Sequence, residues 1–265
     1  MKRSVLSVAF AVLAAGTLLY SCRSSATPDE KQMYYELRIY RLKDPGKNDL
    51  VDRYLKNAFI PAMRKAGIQA VGVFRPVETD TAYGKMVYVF IPYKNMDQYS
   101  GALEILEKDP DHQKAGREFL DAPYNDPAFI RYESIFMKAF AFMPVYRKYT
   151  FDTPPEERIY ELRSYESWTE VKAMKKIQMF NEGGEIAIFD EIGSNAVFYG
   201  QVLFGSLKPR LMYLTTYSNM QSRDEHWNAF RAHPVWKKIS VMEEYANTVI
   251  RPDAYLLHPA PYSDF

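Results

Sequence analysis

The chain has 265 residues, with 34 Lys and Arg against 33 Asp and Glu for a formal net charge of +1, and its residues are 47% hydrophobic and 25% charged. Such ordinary globular usage excludes a disordered, collagenous or coiled-coil chain, and the charge balance argues against nucleic acid as a partner, because its binders carry a basic excess. Aromatic residues make up 15%, enough bulk for large cores, since each ring can bury roughly 150–250 Å².

The chain opens on Lys2 and Arg3, followed by an uncharged run from Ser4 to Ser21 that is mostly apolar from Val5 to Tyr20. A secretory signal has this layout, a basic start and then an apolar stretch. Leu19-Tyr20-Ser21-Cys22 resembles a bacterial lipoprotein box, with Leu three positions before Cys and a small residue just before it; Tyr20 is bulkier than the usual residue at its position. The resemblance implies a signal peptide over residues 1–22 and acylation of Cys22 as the first residue of the mature chain. Acyl chains there would hold the protein to a lipid bilayer of the bacterial envelope, outside the cytoplasm, without a spanning helix. The alternative is an uncleaved membrane helix, for which the uncharged run lies at the lower limit of about 18 residues. Cys22 is the only cysteine in the chain, so the folded part would hold no disulfide, free thiol or cysteine metal ligand. Residues 23–32 are polar and read as a flexible tether.

The remainder repeats itself. Tyr35-Glu36-Leu37-Arg38-Ile39-Tyr40 recurs as Tyr160-Glu161-Leu162-Arg163-Ser164-Tyr165, and Tyr93-Lys94-Asn95-Met96 as Tyr217-Ser218-Asn219-Met220. Asp109-Pro110 through Lys114 then aligns with His233-Pro234 through Lys238, in the same order and at nearly the same offset. The period is too long for a solenoid and suits a duplicated domain, over residues 33–150 and 151–265, with the break between Thr150 and Glu157 around Pro154-Pro155. In the first copy the pattern predicts a strand over 34–42, then a helix over 47–66 kinked at Pro61 and stopped by Gly67. Strands over 69–77 and 85–93, a helix over 95–120 broken at Asp109-Pro110, and a strand over 128–140 follow. The second copy predicts a strand over 158–166, a helix over 168–191 weakened at Gly183-Gly184, and strands over 195–205 and 210–217. Helices over 221–232 and 234–246 and a strand over 248–257 complete it. Each half therefore reads β-α-β-β-α-β, the ferredoxin-like order of an α+β fold.

Strand side chains alternate between faces. On the strand over 210–217, Leu211 and Tyr213 oppose Met212 and Leu214; on that over 85–91, Met86, Tyr88 and Phe90 oppose Val87, Val89 and Ile91. Both faces are apolar, where a solvated face would alternate with polar residues. Each sheet is therefore expected to cover the other's open face, giving an α/β barrel within one chain. The leading strands depart from the pattern, with Glu36, Arg38 and Tyr40 on one face and Glu161, Arg163 and Tyr165 on its counterpart. With the apolar alternates set against the helices, these polar residues are expected to point between the sheets. Buried charges are costly unless paired. The group reads either as ion pairs that fix packing register or as a polar wall around a ligand.

Tyr-Glu-Leu-Arg at the start of each copy, Met179-Phe180-Asn181-Glu182-Gly183-Gly184-Glu185-Ile186, and Arg223-Asp224-Glu225-His226-Trp227 through Phe230, Pro234 and Trp236-Lys237-Lys238 resemble the NIPSNAP family, most strongly in the second copy. The resemblance implies a dimeric α/β-barrel fold and further association into a homo-oligomer. The related barrels include haem enzymes, cofactor-free oxygenases and plain binding proteins, so the fold does not settle the function.

No cofactor is identified by motif. His112, His226, His233 and His258 form no metal-binding pattern. His226 and His233 would share one face of a continuous helix, with Asp224 or Glu225 as a third ligand, but Pro234 is expected to break that helix and leave His233 at a cap. A haem would need an axial histidine inside the barrel, and no motif marks one. His226, Trp227, Arg231, His233 and Trp236 read either as a small polar pocket with aromatic walls or as an amphipathic helix with its aromatics in the core. Two functions follow. One is a membrane-anchored barrel that binds a small, partly apolar molecule, with any catalysis being cofactor-free or haem-type oxidation; it predicts an inter-sheet cavity lined by Glu36, Arg38, Glu161, Arg163 and Tyr165. The other is a non-catalytic interaction module that self-associates at the membrane surface.

Overall fold

The computed structural model describes residues 31–205 and 207–265. The first repeat supplies β1 (Tyr34–Arg41), β2 (Gly72–Pro76), β3 (Met86–Tyr93) and β4 (Arg131–Ala139), and the second β5 (Ile159–Glu166), β6 (Asn195–Phe204), β7 (Arg210–Tyr217) and β8 (Arg251–Pro259). Hydrogen bonding orders them β1-β3-β2-β8-β5-β7-β6-β4 and returns to β1, a closed barrel. Each half is a ferredoxin-like sheet of order 4-1-3-2. Two antiparallel seams join the halves: Phe74 to Pro76 pair with Leu257 to Pro259, and Met137 to Ala139 pair with Gly200 to Val202. Among the described residues no helix is long and apolar enough to cross a membrane.

The first helical segment runs as α1 (Asn48–Tyr54), a π-helical stretch over Leu55–Phe59, and α2 (Ile60–Lys65). Pro61 has no N–H to donate. The expected kink takes the form of a local widening, in which the Ile60 N–H donates to the Leu55 carbonyl. The segment after β3 divides into α3 (Met96–Lys108), α4 (Pro110–Ala115) and α5 (Arg117–Leu120). In the second repeat the helix expected over 168–191 is two helices, α6 (Glu170–Phe180) and α7 (Glu185–Glu191). Gly184 between them takes φ +91, a left-handed conformation in which glycine carries no Cβ penalty. α8 (Met220–Ala232) and α9 (Pro234–Ile239) follow, then a 3-10 turn over Glu243–Tyr245 in place of the longer helix expected to 246. The repeat motifs prove to be helix starts. Asn95 and Asn219 each accept from the backbone N–H three residues on, at 2.9 Å. Asp109 and His233 each precede a proline at the first turn of a helix.

The faces of the leading strands are the reverse of the expectation. Tyr35, Leu37 and Ile39 of β1, with Tyr160 and Leu162 of β5, point into the barrel and pack with Phe90, Met137, Phe198 and Leu214. Phe90 and Phe198, one from each repeat, stack at 4.6 Å across the interior. Glu36, Arg38 and Tyr40 lie instead beneath the helices of their own repeat, as do Glu161, Arg163 and Tyr165 beneath theirs; Tyr40 and Tyr165 pack in the helix-facing cores. The physical reason is closure. An eight-stranded barrel receives side chains from every strand and fills its interior with them, so a charge there has neither water nor room for a partner. Under a helix it finds partners on the neighbouring strands and helices. These polar residues therefore do not line the space between the sheets, which among the described residues is occupied by rings and aliphatic chains.

Candidate functional site

Glu161 is buried on the helix-facing side of β5. Its carboxylate accepts from Arg163 Nε at 2.7 Å, from Arg223 Nε at 2.7 Å and Nη2 at 3.1 Å, and from Trp227 Nε1 at 2.7 Å. Burial alone would raise its pKa, but hydrogen bonding and charge from Arg223 and Arg163, with the indole N–H, hold it below the usual carboxylate range. α8 delivers two of these donors, because Arg223 and Trp227 are four residues apart and share a face.

Arg163, oriented by Glu161, lies 4.2 Å from the ring centre of Trp227 and donates from Nη1 to the Tyr165 hydroxyl at 3.1 Å. That hydroxyl is 2.9 Å from the Tyr213 hydroxyl. Above them, Lys176 of α6 pairs with Glu185 of α7 at 2.7 Å, both side chains buried. Desolvation pushes the Glu185 carboxyl up, against the attraction of Lys176. The ammonium also faces the rings of Phe180, Trp236 and Tyr165 at 4.7, 5.6 and 5.7 Å. Between these groups lies an open pocket of about 360 Å³, lined by Arg163, Tyr165, Lys176, Glu185, Trp227 and Trp236, with Phe230, Arg231, Val249 and Pro252 completing its wall.

The first repeat builds the same polar strand with its arginine more deeply covered. Arg38 donates to Glu36 from Nε at 2.7 Å and from Nη2 at 3.2 Å, while Tyr93 and Ser134 donate to the same carboxylate at 2.8 and 2.7 Å. Its guanidinium is covered by Phe59, 5.0 Å from the ring centre. The Arg38 side chain is 9% exposed, against 19% for Arg163. One duplicated arginine is sealed and the other opens onto a pocket.

Of the residues singled out by sequence, Arg163, Tyr165, Trp227, Arg231 and Trp236 meet at this pocket, with Glu161 behind them. Glu36, Arg38 and Tyr40 form the sealed counterpart, and the Glu–Arg contact is made within each strand rather than across the two copies. His226 lies outside the pocket, its Nδ1 2.6 Å from the Ser222 carbonyl and its ring 5.7 Å from that of Tyr217. His233 caps α9, accepting from the Val235 N–H, with Nε2 3.1 Å from Glu191. His112 is held by the Leu106 carbonyl and Tyr54. His258 is held by the Arg158 carbonyl. No histidine lines the pocket, so a haem bound there would find no histidine ligand. Among the described residues no group of three or more His, Cys, Asp or Glu is placed to hold a metal ion. Cys22 and the leader lie outside the described residues.

Sequence reasoning missed Lys176, Glu185 and the role of Arg223. A signal for Lys176 existed: it occupies the buried stripe of α6 with Ala173, Met179 and Phe180, where an apolar residue is expected. Arg223 is one helical turn before Trp227, so any site containing the indole brings the guanidinium with it.

The family model for NIPSNAP matches the chain twice, over residues 35–144 and 160–264. Among solved structures, a proposed monooxygenase from Lactobacillus acidophilus NCFM is similar at a TM-score of 0.58 and 13% identity, covering 86% of this chain and 94% of its own. A second proposed monooxygenase, from Fusobacterium nucleatum, is similar at 0.56 and 9% identity, covering 86% and 93%. A NIPSNAP-like domain protein from Burkholderia xenovorans matches at 0.37 and 23% identity, over 41% of this chain and 90% of its own. The first two likenesses show a shared fold. No curated protein matches the chain.

Proposed function

The chain belongs to the NIPSNAP family, and from that premise we propose that its second repeat binds a small anionic molecule with an apolar or aromatic body, on a chain tethered to a membrane through acylated Cys22. The observation that carries the reading is the contrast between the repeats. The same Glu–Arg strand is closed over by Phe59 in one copy and borders a pocket of about 360 Å³ in the other. That pocket has a cationic surplus. Glu161 and Glu185 are matched by Arg163 and Lys176, Arg223 bridges Glu161 and Asp224 behind the pocket, and Arg231, beside neutral Asn228, leaves one cation over. Tyr165, Trp227, Phe230 and Trp236 give it aromatic walls, the usual make-up of a site that grips an apolar body and orients it through a few polar groups.

The test is a thermal-shift comparison of the full chain with aromatic carboxylates, phenols, quinones and haem. A ligand of the folded state raises apparent stability by about 2.7 kcal/mol at a hundredfold excess over Kd. Arg163→Met and Trp236→Ala should abolish the shift, and Arg38→Met should leave it in place on a less stable background. An apparent stability unchanged by millimolar aromatic anions, or a shift equally present in Arg163→Met, would overturn the reading.

A further inference from the structure

We propose that the outer face of α6 rests on the lipid bilayer. The inference depends on the reading above that the leader ties this chain to a membrane. α6 sets Val171, Met174 and Ile177 three residues apart along one side. With Ala139, Phe140 and Ala141 at the β4–β6 seam, they line an open groove of about 660 Å³. Phe140 and Ala139 form its buried floor, while on the helix Val171 is 71% and Met174 50% exposed, and Trp168, just before the helix, is 65% exposed. The polar groups in the groove are occupied. Gln32 donates to the Ala139 carbonyl, Asn181 donates to the Ile177 carbonyl and accepts from the Phe142 N–H, and Lys175 donates to Gln178. Glu170 and Glu182 on the rim leave no cationic surplus, so the partner is recognised by apolar contact rather than by charge.

The position of the groove on the chain identifies that partner as a bilayer. Gln32 is part of the groove wall. The stretch from Cys22 to Gln32 is only ten residues and reaches about 35 Å when fully extended, with a root-mean-square span of about 17 Å for a flexible chain. The membrane tether therefore enters the folded body at its exposed apolar face. Tethering raises the effective concentration of that face at the membrane to the millimolar range, so shallow insertion of a few side chains is sufficient. Tryptophan beside such a face is the residue that favours the headgroup boundary.

The experiment places the full chain in phosphatidylcholine vesicles with a nitroxide on Met174→Cys or, as a control on the turn between β2 and β3, on Tyr83→Cys. Docking predicts that the label at 174 is shielded from a water-soluble relaxation reagent and open to oxygen, the label at 83 the reverse, with little dependence on salt. Val171→Glu should lower the docked-to-undocked ratio about tenfold. Equal water access at both positions, on a chain that still sediments with the vesicles, overturns docking and leaves the tether standing. A chain that does not sediment with vesicles overturns the tether and docking together. Shielding at 174 that disappears when the protein is diluted in lipid identifies a second copy as the occupant, and overturns the proposal.

Discussion

Replacing Glu36 by glutamine should cost more stability than replacing Glu161, although Glu161 accepts two hydrogen bonds from a second arginine, Arg223. Both substitutions keep the shape and remove the charge. In the first repeat the loss leaves Arg38, with a side chain only 9% exposed, without its carboxylate. Breaking a buried pair by removing one partner costs about 3–5 kcal/mol, and the Arg38 case belongs at the upper end. In the second repeat Arg163 and Arg223 are 19% and 21% exposed, and Arg223 retains Asp224 at 2.8 Å. Water and that carboxylate compensate part of the loss, which places Glu161→Gln near 3 kcal/mol, about the lower bound for such a pair. With a urea dependence of about 3 kcal/mol/M, the unfolding midpoint should fall by about 1.5 M for Glu36→Gln and about 1 M for Glu161→Gln. Equilibrium urea unfolding of the full chain measures both. A larger fall for Glu161→Gln would refute the argument that residual solvent access decides the cost, and two unchanged midpoints would refute the view that these carboxylates hold their buried arginines in place.

The same carboxylate predicts an acid response. Because Glu161 is held below its unfolded value of about 4.3, its contribution is present above that pH and is lost as pH falls through the folded pKa. Glu161→Gln should therefore flatten the decline of thermal stability below pH 5, measured by circular dichroism melts. Lys176→Met alone should destabilise the chain by about 3–5 kcal/mol, whereas Lys176→Met with Glu185→Leu should be neutral or stabilising, since apolar packing often replaces a buried pair without loss; chemical denaturation distinguishes them. Phe198→Ala should cost about 3–5 kcal/mol through its stack on Phe90, read from the same curves. Gly183→Ala should be worse than Gly184→Ala: a Cβ on Gly183 would stand 2.5 Å from the Met179 carbonyl oxygen, whereas at Gly184 the nearest atom is at 3.9 Å and only the φ of +91 opposes it.

The duplication, the element order and the breaks at Asp109-Pro110 and Gly183-Gly184 were legible because each is written in local residues. The closed barrel followed from strands apolar on both faces. What could not be read was the direction of the polar alternates. Period-2 alternation states that Glu36 and Leu37 face opposite ways but not which way is inward, and the question is decided by how much room eight converging strands leave. The pocket was legible in its two halves, the Glu161–Arg163–Tyr165 strand and the Trp227–Trp236 helices, but not as one site, since the groups come from segments more than sixty residues apart. Lys176 and Glu185 were missed because a charged residue within an apolar stripe passes for a break in the pattern.

The two seams have a consequence for assembly. A four-stranded half alone would expose the bonding edges of β2 and β4, or of β6 and β8, together with a sheet face of tyrosine, phenylalanine and leucine. It would have to capture another half from solution. Here Phe74 to Pro76 meet Leu257 to Pro259 within one polypeptide. Covalent connection makes the pairing intramolecular, so the ring persists however dilute the protein becomes, and the two halves are free to diverge in sequence while remaining obligate partners.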